Sequence, residues 1–489
     1  MREHGFLRWA CLLIVMLATA CTDESVVFRD RDLFSPVQPA AAGFIGYSDS
    51  TAKLVVCGNC HVGIQDQWDE TAHAFAWASL QASGSAQAVC EGCHTVGQRG
   101  NVATAPGGYE TVKNPRYHDV QCESCHGPGL THVQDPDATQ PLASVAVGTD
   151  LTSGCGECHN GTHHPFVEEW SQSAHANVRA SPAGNASCVQ CHRGQGILTA
   201  WNVKSDYLEK TATEHVAITC AVCHDPHDGT FESQLRFTVN TPRIEEHLCA
   251  RCHNRRTNPA PTTSSGLQPH APEAALLIGD AGWFVPGSNI DPGTIVGTHG
   301  SERNPKLCAT CHVNSFTVTD EVTGAFVFQA TGHLFKAVPC LNPQGIPQPG
   351  DCGFSTTSRS FQSCATSECH SSEATALTAL TVATQRLQNL GDQLESQLRQ
   401  VDPNLSGAGG EIDPTDPTFN VAEGAFFNLN LARHGATHDD AQFNYAAAAT
   451  HNPFLIESLL VASITEVRRA YGVNPTVRVA SRRIGFAHE

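Results

Sequence analysis

The sequence predicts a mainly α-helical chain with extensive loops and little β-sheet, and three observations predict it. Short cysteine–histidine runs recur from residue 57 onward, separated by loop-rich stretches in a chain with 41 Gly and 27 Pro among 489 residues. Strand-type alternation is confined to "FTVTDEVTGAFVFQATG", 316–332, which reads as one small hairpin. The last 119 residues, 371–489, carry no such run; there Leu377, Leu380, Leu387, Leu390, Leu394, Leu398 and Val401 form a helical stripe that stops at Asp402-Pro403.

The runs come first because they fix the chemistry. The spacing Cys-Xaa-Xaa-Cys-His occurs at 57–61, 90–94, 122–126, 155–159, 188–192, 220–224, 249–253 and 308–312, and a stretched form, "CATSECH", at 364–370. Chance at this composition would supply about 0.05 copies of the short form. Two sulfurs two residues apart add to the two vinyl groups of one haem, and the next residue, histidine, reaches the iron. The expected cofactor is therefore haem c, nine copies, covalently held. The attaching thiols are Cys57, Cys60, Cys90, Cys93, Cys122, Cys125, Cys155, Cys158, Cys188, Cys191, Cys220, Cys223, Cys249, Cys252, Cys308, Cys311, Cys364 and Cys369. The proximal ligands are His61, His94, His126, His159, His192, His224, His253, His312 and His370. Zinc would need pairs of knuckles converging on one ion and leaves the histidine after every pair unexplained.

Of the other cysteines, Cys11 and Cys21 lie in or at the end of an export signal, and Cys340 and Cys352 flank a Pro/Gly-rich loop. In an oxidising compartment these two are expected to form a disulfide, with free thiols as the alternative.

Methionine occurs only at positions 1 and 16, inside that signal, so the sixth ligand is expected to be histidine. His73 and His175 sit in matching contexts, "WDETAHA" and "WSQSAHA"; His118 and His215 precede motifs, while His132 and His227 follow them. His247, His270, His299 and His333 are further candidates, with His163, His164, His434, His438 and His451 weaker.

The chain divides as follows. Residues 1–20 read as a signal peptide, with Arg2 and Arg8 before an apolar run, and "LATAC" suggests lipidation of Cys21. Residues 21–56 read as a tether. Residues 57–253 hold seven motifs and a duplication: Cys57, Cys90 and Cys122 recur 98 positions later as Cys155, Cys188 and Cys220. The two modules are 57–154 and 155–248, and both third motifs are followed by a proline, Pro128 and Pro226. Residues 254–370 hold two motifs, with 254–307 reading as a long loop. Residues 371–489 are a helical region without motifs; a second helix there should begin at Asn452 as N-cap with Pro453 first and end before Gly472, and "FNYAAAATH" between the two is helix-prone. The leucine stripe either closes the haem core within the chain or forms an oligomerisation surface. With so little apolar sequence between motifs, the haems themselves should serve as the core, wrapped by short helices and loops.

The elements "CGNCHVGIQDQWDETAHA", "CGECHNGTHHPFVEEWSQSAHA", "HDVQCESCHGPG" and "CAVCHDPHDG" resemble the multihaem cytochrome c superfamily. That group includes doubled-CxxCH cytochromes, the tetrahaem electron carrier of ammonia oxidisers, hydroxylamine oxidoreductase and octahaem tetrathionate reductase. The resemblance covers 57–370, and "THNPFLIESLL", 450–460, looks like the closing helix of larger members. It implies that histidines such as His118 and His132 are distal ligands and that neighbouring haems pack in parallel and perpendicular pairs. No motif has lysine in place of its histidine, and nothing in the sequence marks Tyr445 as a cross-linking residue.

The expected role is electron transfer along mostly bis-histidine haems, in the periplasm or at the cell surface, with no catalytic residue assigned. One alternative is a reductase or oxidoreductase of nitrogen or sulfur compounds with one five-coordinate haem. Another is a subunit of a polymerising extracellular filament. A net charge of −19 argues against nucleic acid and for a redox partner or terminal acceptor with a basic docking surface. A lipid tether at Cys21 and a homo-oligomer complete the expected associations.

Overall fold

The computed structural model describes residues 40–143, 154–203, 214–260, 266–366, 369–405, 410–434 and 445–474. The export signal, Cys21, the tether up to residue 39 and His438 lie outside these residues, as does the side chain of His434.

Each motif closes as one helical turn. The histidine N–H donates to the carbonyl of the first cysteine at His61, His159, His192, His224 and His253, over 2.9, 2.9, 3.1, 2.8 and 2.9 Å. At the stretched motif His370 N–H still bonds the Cys364 carbonyl, at 3.1 Å. There too the first cysteine stays tied to the histidine.

The duplication in sequence is a duplication in space. Helix α1, Val62–Trp68, and helix α2, Phe166–Ser171, each carry a buried tryptophan in the last turn, Trp68 and Trp170. Trp68 Nε1 donates to the Val120 carbonyl at 3.0 Å, and Trp170 Nε1 to the Ile218 carbonyl at 2.8 Å. The same two residues return backbone N–H bonds to the carbonyls of His73 and His175, both at 3.1 Å. The tryptophan therefore clamps the AHA turn of each module to the strand of chain entering its third motif.

Sheet is minor among the described residues. Strands β1, Tyr47–Asp49, and β2, Leu54–Val55, pair antiparallel, as do β3, Phe316–Thr319, with β4, Phe326–Ala330, and β5, Cys340–Leu341, with β6, Pro347–Gln348. The β3–β4 ladder is the hairpin expected at 316–332, and a Cys340–Cys352 disulfide braces the loop that follows.

The long connection after residue 253 is more ordered than its composition suggests. It contains helix α3, Glu273–Ile278, with Leu276 and Leu277 buried, and it carries Trp283 and Val285 into the largest core. Beyond residue 370 come helices α4, Glu373–Val401, α5, Val421–His434, α6, Ala446–His451, and α7, Pro453–Tyr471. Leu387, Leu394 and Leu398 of α4 pack on Phe427 and Leu431 of α5 and on Leu455, Leu459 and Ile464 of α7. The buried half of the leucine stripe is thus spent within the chain.

Buried apolar side chains are distributed unevenly. The C-terminal helices and residues 267–285 share one extended core. The first seven motifs are accompanied only by clusters of two to four buried residues, such as Val167 with Trp170 and Ile197 with Leu198 and Val222. A domain of that size needs a much larger apolar interior to be stable, and a flat apolar macrocycle at each motif would supply it. Ala41–Glu489 form one compact unit, so the motif regions and the helical region share a single body.

Candidate haem-binding sites

The motifs are numbered 1 to 9 in chain order. Two imidazoles on opposite faces of one metal, each bound at about 2 Å, place their ring centres about 6 Å apart. Among the described residues, eight of the nine motif histidines have a second histidine ring at that separation. The pairs are His61–His132 at 6.4 Å, His126–His227 and His159–His73 at 6.2 Å, His192–His270 at 5.8 Å, His224–His333, His253–His175 and His370–His299 at 6.3 Å, and His312–His451 at 6.4 Å. The ninth, His94, has His164 for a neighbour: burial first, then the charges of His163 and His94, push the His164 pKa down.

The ring tautomers suit coordination. Nδ1 of His94, His126, His132, His224, His299, His312 and His451 lies 2.6–2.9 Å from a backbone carbonyl. Donation from Nδ1 leaves Nε2 with its lone pair, the arrangement that orients metal-bound histidines. Burial pushes His159, His175, His333 and His451 down to about 4, so these rings are neutral donors at physiological pH. His333 is also positioned through its backbone: buried Glu169 accepts from Thr331 N, Thr331 Oγ1 and His333 N at 2.9, 2.7 and 2.7 Å. His253 differs from the rest. Burial works to lower its pKa, but the Glu273 carboxylate, together with the Cys308 and Cys191 sulfurs, acts the other way and the net shift is upward.

Four of the histidines singled out in the sequence have no facing motif histidine among the described residues; one of them, His163, stacks on Phe326 with centroids 4.4 Å apart. His118 stacks on Trp77, with centroids 4.0 Å apart and planes 14° from parallel. His215 is exposed beside Arg193, 3.4 Å from its guanidinium. His247 is fully buried with both nitrogens engaged: Nδ1 accepts from Cys249 N and Nε2 donates to the Lys306 carbonyl, each at 3.2 Å. Donor atoms of His247, Cys249 and Cys308 lie within 4.8 Å of one another. Both thiols belong to motifs, however, and the imidazole is already satisfied. His451, which faces His312, and His164, which feels the charge of His94, come from the weaker candidates. Tyr445 packs inside the helical core, with its hydroxyl 3.1 Å from Arg433 Nε.

The thiols record which sites are adjacent. The thiols that act most strongly on each other are Cys57 with Cys122 (sites 1 and 3), Cys93 with Cys158 (2 and 4), Cys155 with Cys220 (4 and 6), Cys191 with Cys252 (5 and 7), and Cys249 with Cys308 (7 and 8). Charge alone also links Cys125 with Cys155 (3 and 4), Cys223 with Cys249 (6 and 7), and Cys311 with Cys364 (8 and 9). The pattern 1–3 and 2–4 repeats as 4–6 and 5–7, the duplication carried into site order.

Known proteins share these features. The family described as Cytochrome c554 and c-prime matches residues 56–127, the first three motifs. The multiheme cytochrome MtrA of Shewanella baltica is 27% identical over 225 residues, 42% of this chain and 60% of that protein. The C-type polyheme cytochrome OmcB of Geobacter sulfurreducens is 23% identical over 323 residues, 53% of this chain and 39% of that protein. Cytochrome c-554 of Nitrosomonas europaea is 29% identical over 208 residues, 37% of this chain and 78% of that protein. The match thus spans less than two thirds of the first two relatives. The crystal structure of the outer cell wall cytochrome OcwA shares the fold, with a TM-score of 0.51 over 87% of this chain and all of that one, at 16% identity. The paired thiols, the histidine following each pair and these likenesses agree on one cofactor, haem c, and support a multihaem cytochrome c.

Proposed function

We propose that the protein is an electron-transfer cytochrome of nine haems c, each held by two cysteines and by two histidines on opposite faces of the iron. The observation that carries this reading is the second imidazole opposite the motif histidine: eight ring pairs at 5.8–6.4 Å, with His164 beside His94. Haem c supplies one-electron chemistry at iron, and two imidazoles without methionine keep its potential low. The chain's own backbone carbonyls hold seven of the rings in one tautomer. Adjacent thiols support a route through sites 1, 3, 4, 6, 7, 8 and 9, with 2 and 5 as side branches off 4 and 7.

The export signal and "LATAC" support a location in the periplasm or at the cell surface, with a lipid anchor at Cys21. Among the described residues no helix is long and apolar enough to cross a membrane. The excess of acidic residues supports a basic redox partner.

The test is intact mass and paramagnetic resonance on protein made in a cytochrome-maturing host. Nine haem masses per chain and uniformly low-spin ferric signals are expected. A high-spin fraction that binds cyanide or nitrite would replace this reading with that of a reductase having one open iron.

A further inference from the structure

We propose that Glu273 sets the potential of site 7, acting through the His253 imidazole, and makes the junction of the chain harder to reduce than its neighbours. The inference rests on haem occupying site 7 as proposed above.

Three observations carry it. Glu273 is 6% exposed, in the first turn of α3, and its Oε2 lies 3.4 Å from His253 Nδ1. Neither carboxylate oxygen has a hydrogen bond of good geometry among the described residues, and His253 is its one ion-pair partner there. The contact is fixed by backbone: Ala274 N–H donates to the His253 carbonyl at 3.0 Å, and Arg255 N–H to the Ala271 carbonyl at 2.9 Å.

Seven other Nδ1-anchored motif and partner rings, His94, His126, His132, His224, His299, His312 and His451, face neutral carbonyls, and His227 Nδ1 lies 3.7 Å from the Asp225 carboxylate, further than His253 from Glu273. His253 faces a carboxylate, a much stronger acceptor. Drawing the Nδ1 proton toward Glu273 raises the basicity of Nε2 and hence its donation to iron. A buried negative charge also favours the more positive ferric state, and weak screening makes that preference larger than at the surface. Both effects lower the potential. The charge also reaches the next site, because Glu273 acts on both His312 and His451. Site 7 is where the branch from site 5 joins the route from 6 to 8, so the step belongs to the junction between the seven-motif region and the last two sites.

The experiment is a potentiometric titration of full-length holoprotein with Glu273→Gln, followed by Soret absorbance, alongside paramagnetic resonance of the oxidised state. The substitution keeps the shape and removes the charge. The low-potential end of the titration should move to more positive values by the amplitude of one site, with a smaller movement at a second. One low-spin signal should change its g-values. Glu273→Asp, which keeps the charge but withdraws it by one methylene, should shift the same site less in the same direction. Full haem mass with titration and resonance superimposable on the parent would overturn the role of Glu273 and leave the nine-haem reading standing. A missing haem mass in the parent itself would overturn both.

Discussion

At His451 the Nδ1–H donates to the Ala447 carbonyl at 2.8 Å, which fixes the tautomer and leaves Nε2 as an electron-pair donor 6.4 Å, ring to ring, from His312. The donor and the open face together define a ligand; either alone does not. His118 has a comparable place in sequence, just ahead of a motif, yet its ring lies flat on Trp77. Replacing His451 by alanine should therefore open one iron, giving a high-spin signal and a site for cyanide. His118→Ala should leave every haem low-spin and cost only about 1 kcal/mol of stability through the lost stacking. Resonance spectra of the two variants check the pair of outcomes, and low-spin iron in both would contradict the assignment of His451. The thiols and proximal histidines were legible because covalent chemistry dictates their spacing. Seven of the facing imidazoles, His73 and His175 among them, could be singled out from their sequence contexts, but which motif histidine each faces could not, because an imidazole reaches across space: His451 lies 139 positions from His312 in the chain.

Helices α4 to α7 follow from local rules wherever those rules are strong. Ser372 caps α4 by accepting from Thr375 N at 3.1 Å, and Asn452 caps α7 by accepting from Leu455 N at 3.0 Å, with Pro453 first and Gly472 left-handed at φ 64°. The two caps differ in what else they hold. Ser372 is exposed, whereas Asn452 is fully buried and donates Nδ2 to the carbonyls of Leu276 and Ile295 at 3.0 and 2.7 Å. Ser372→Ala should cost about 1 kcal/mol. Asn452→Ala should cost about 3 kcal/mol, because it also removes two bonds that tie α7 to the segment after site 7 and leaves the Ile295 carbonyl without its donor, while the Leu276 carbonyl keeps Gly279 N–H. Urea unfolding followed by far-UV circular dichroism would separate them; equal losses would mean those bonds add nothing. Helix α5 escaped a reading by period because Ala422, Ala425, Phe427, Leu429, Leu431 and Ala432 bury nearly all round, which removes the polar stripe. Gly391 lets Tyr445 lie directly on α4, a close approach that no window of sequence announces.

As a whole the molecule combines a thin protein interior around the first seven sites with a conventional helical core at its C-terminal end. That division was legible from the absence of motifs after residue 370 and from the scarcity of apolar runs before it. The crossing of His451 into site 8, and of the Thr450 carbonyl to His299, was not, since it depends on how the helical end docks. The long-range property that composition does set is charge. Forty-eight acidic residues against 29 basic give −19, and haem propionates would add to it. Fields of this kind act over about 10 Å at 0.1 M salt and raise encounter rates with cations about 10-fold or more at low salt. Electron exchange with a strongly basic single-haem cytochrome should therefore slow at least about 10-fold as ionic strength rises from about 0.01 to 0.5 M. Exchange with an acidic flavoprotein should accelerate over the same range. Stopped-flow rates for both partners test the sign, because screening removes attraction from one pair and repulsion from the other. Two flat profiles would mean that docking is governed by a local patch whose charge departs from that of the chain.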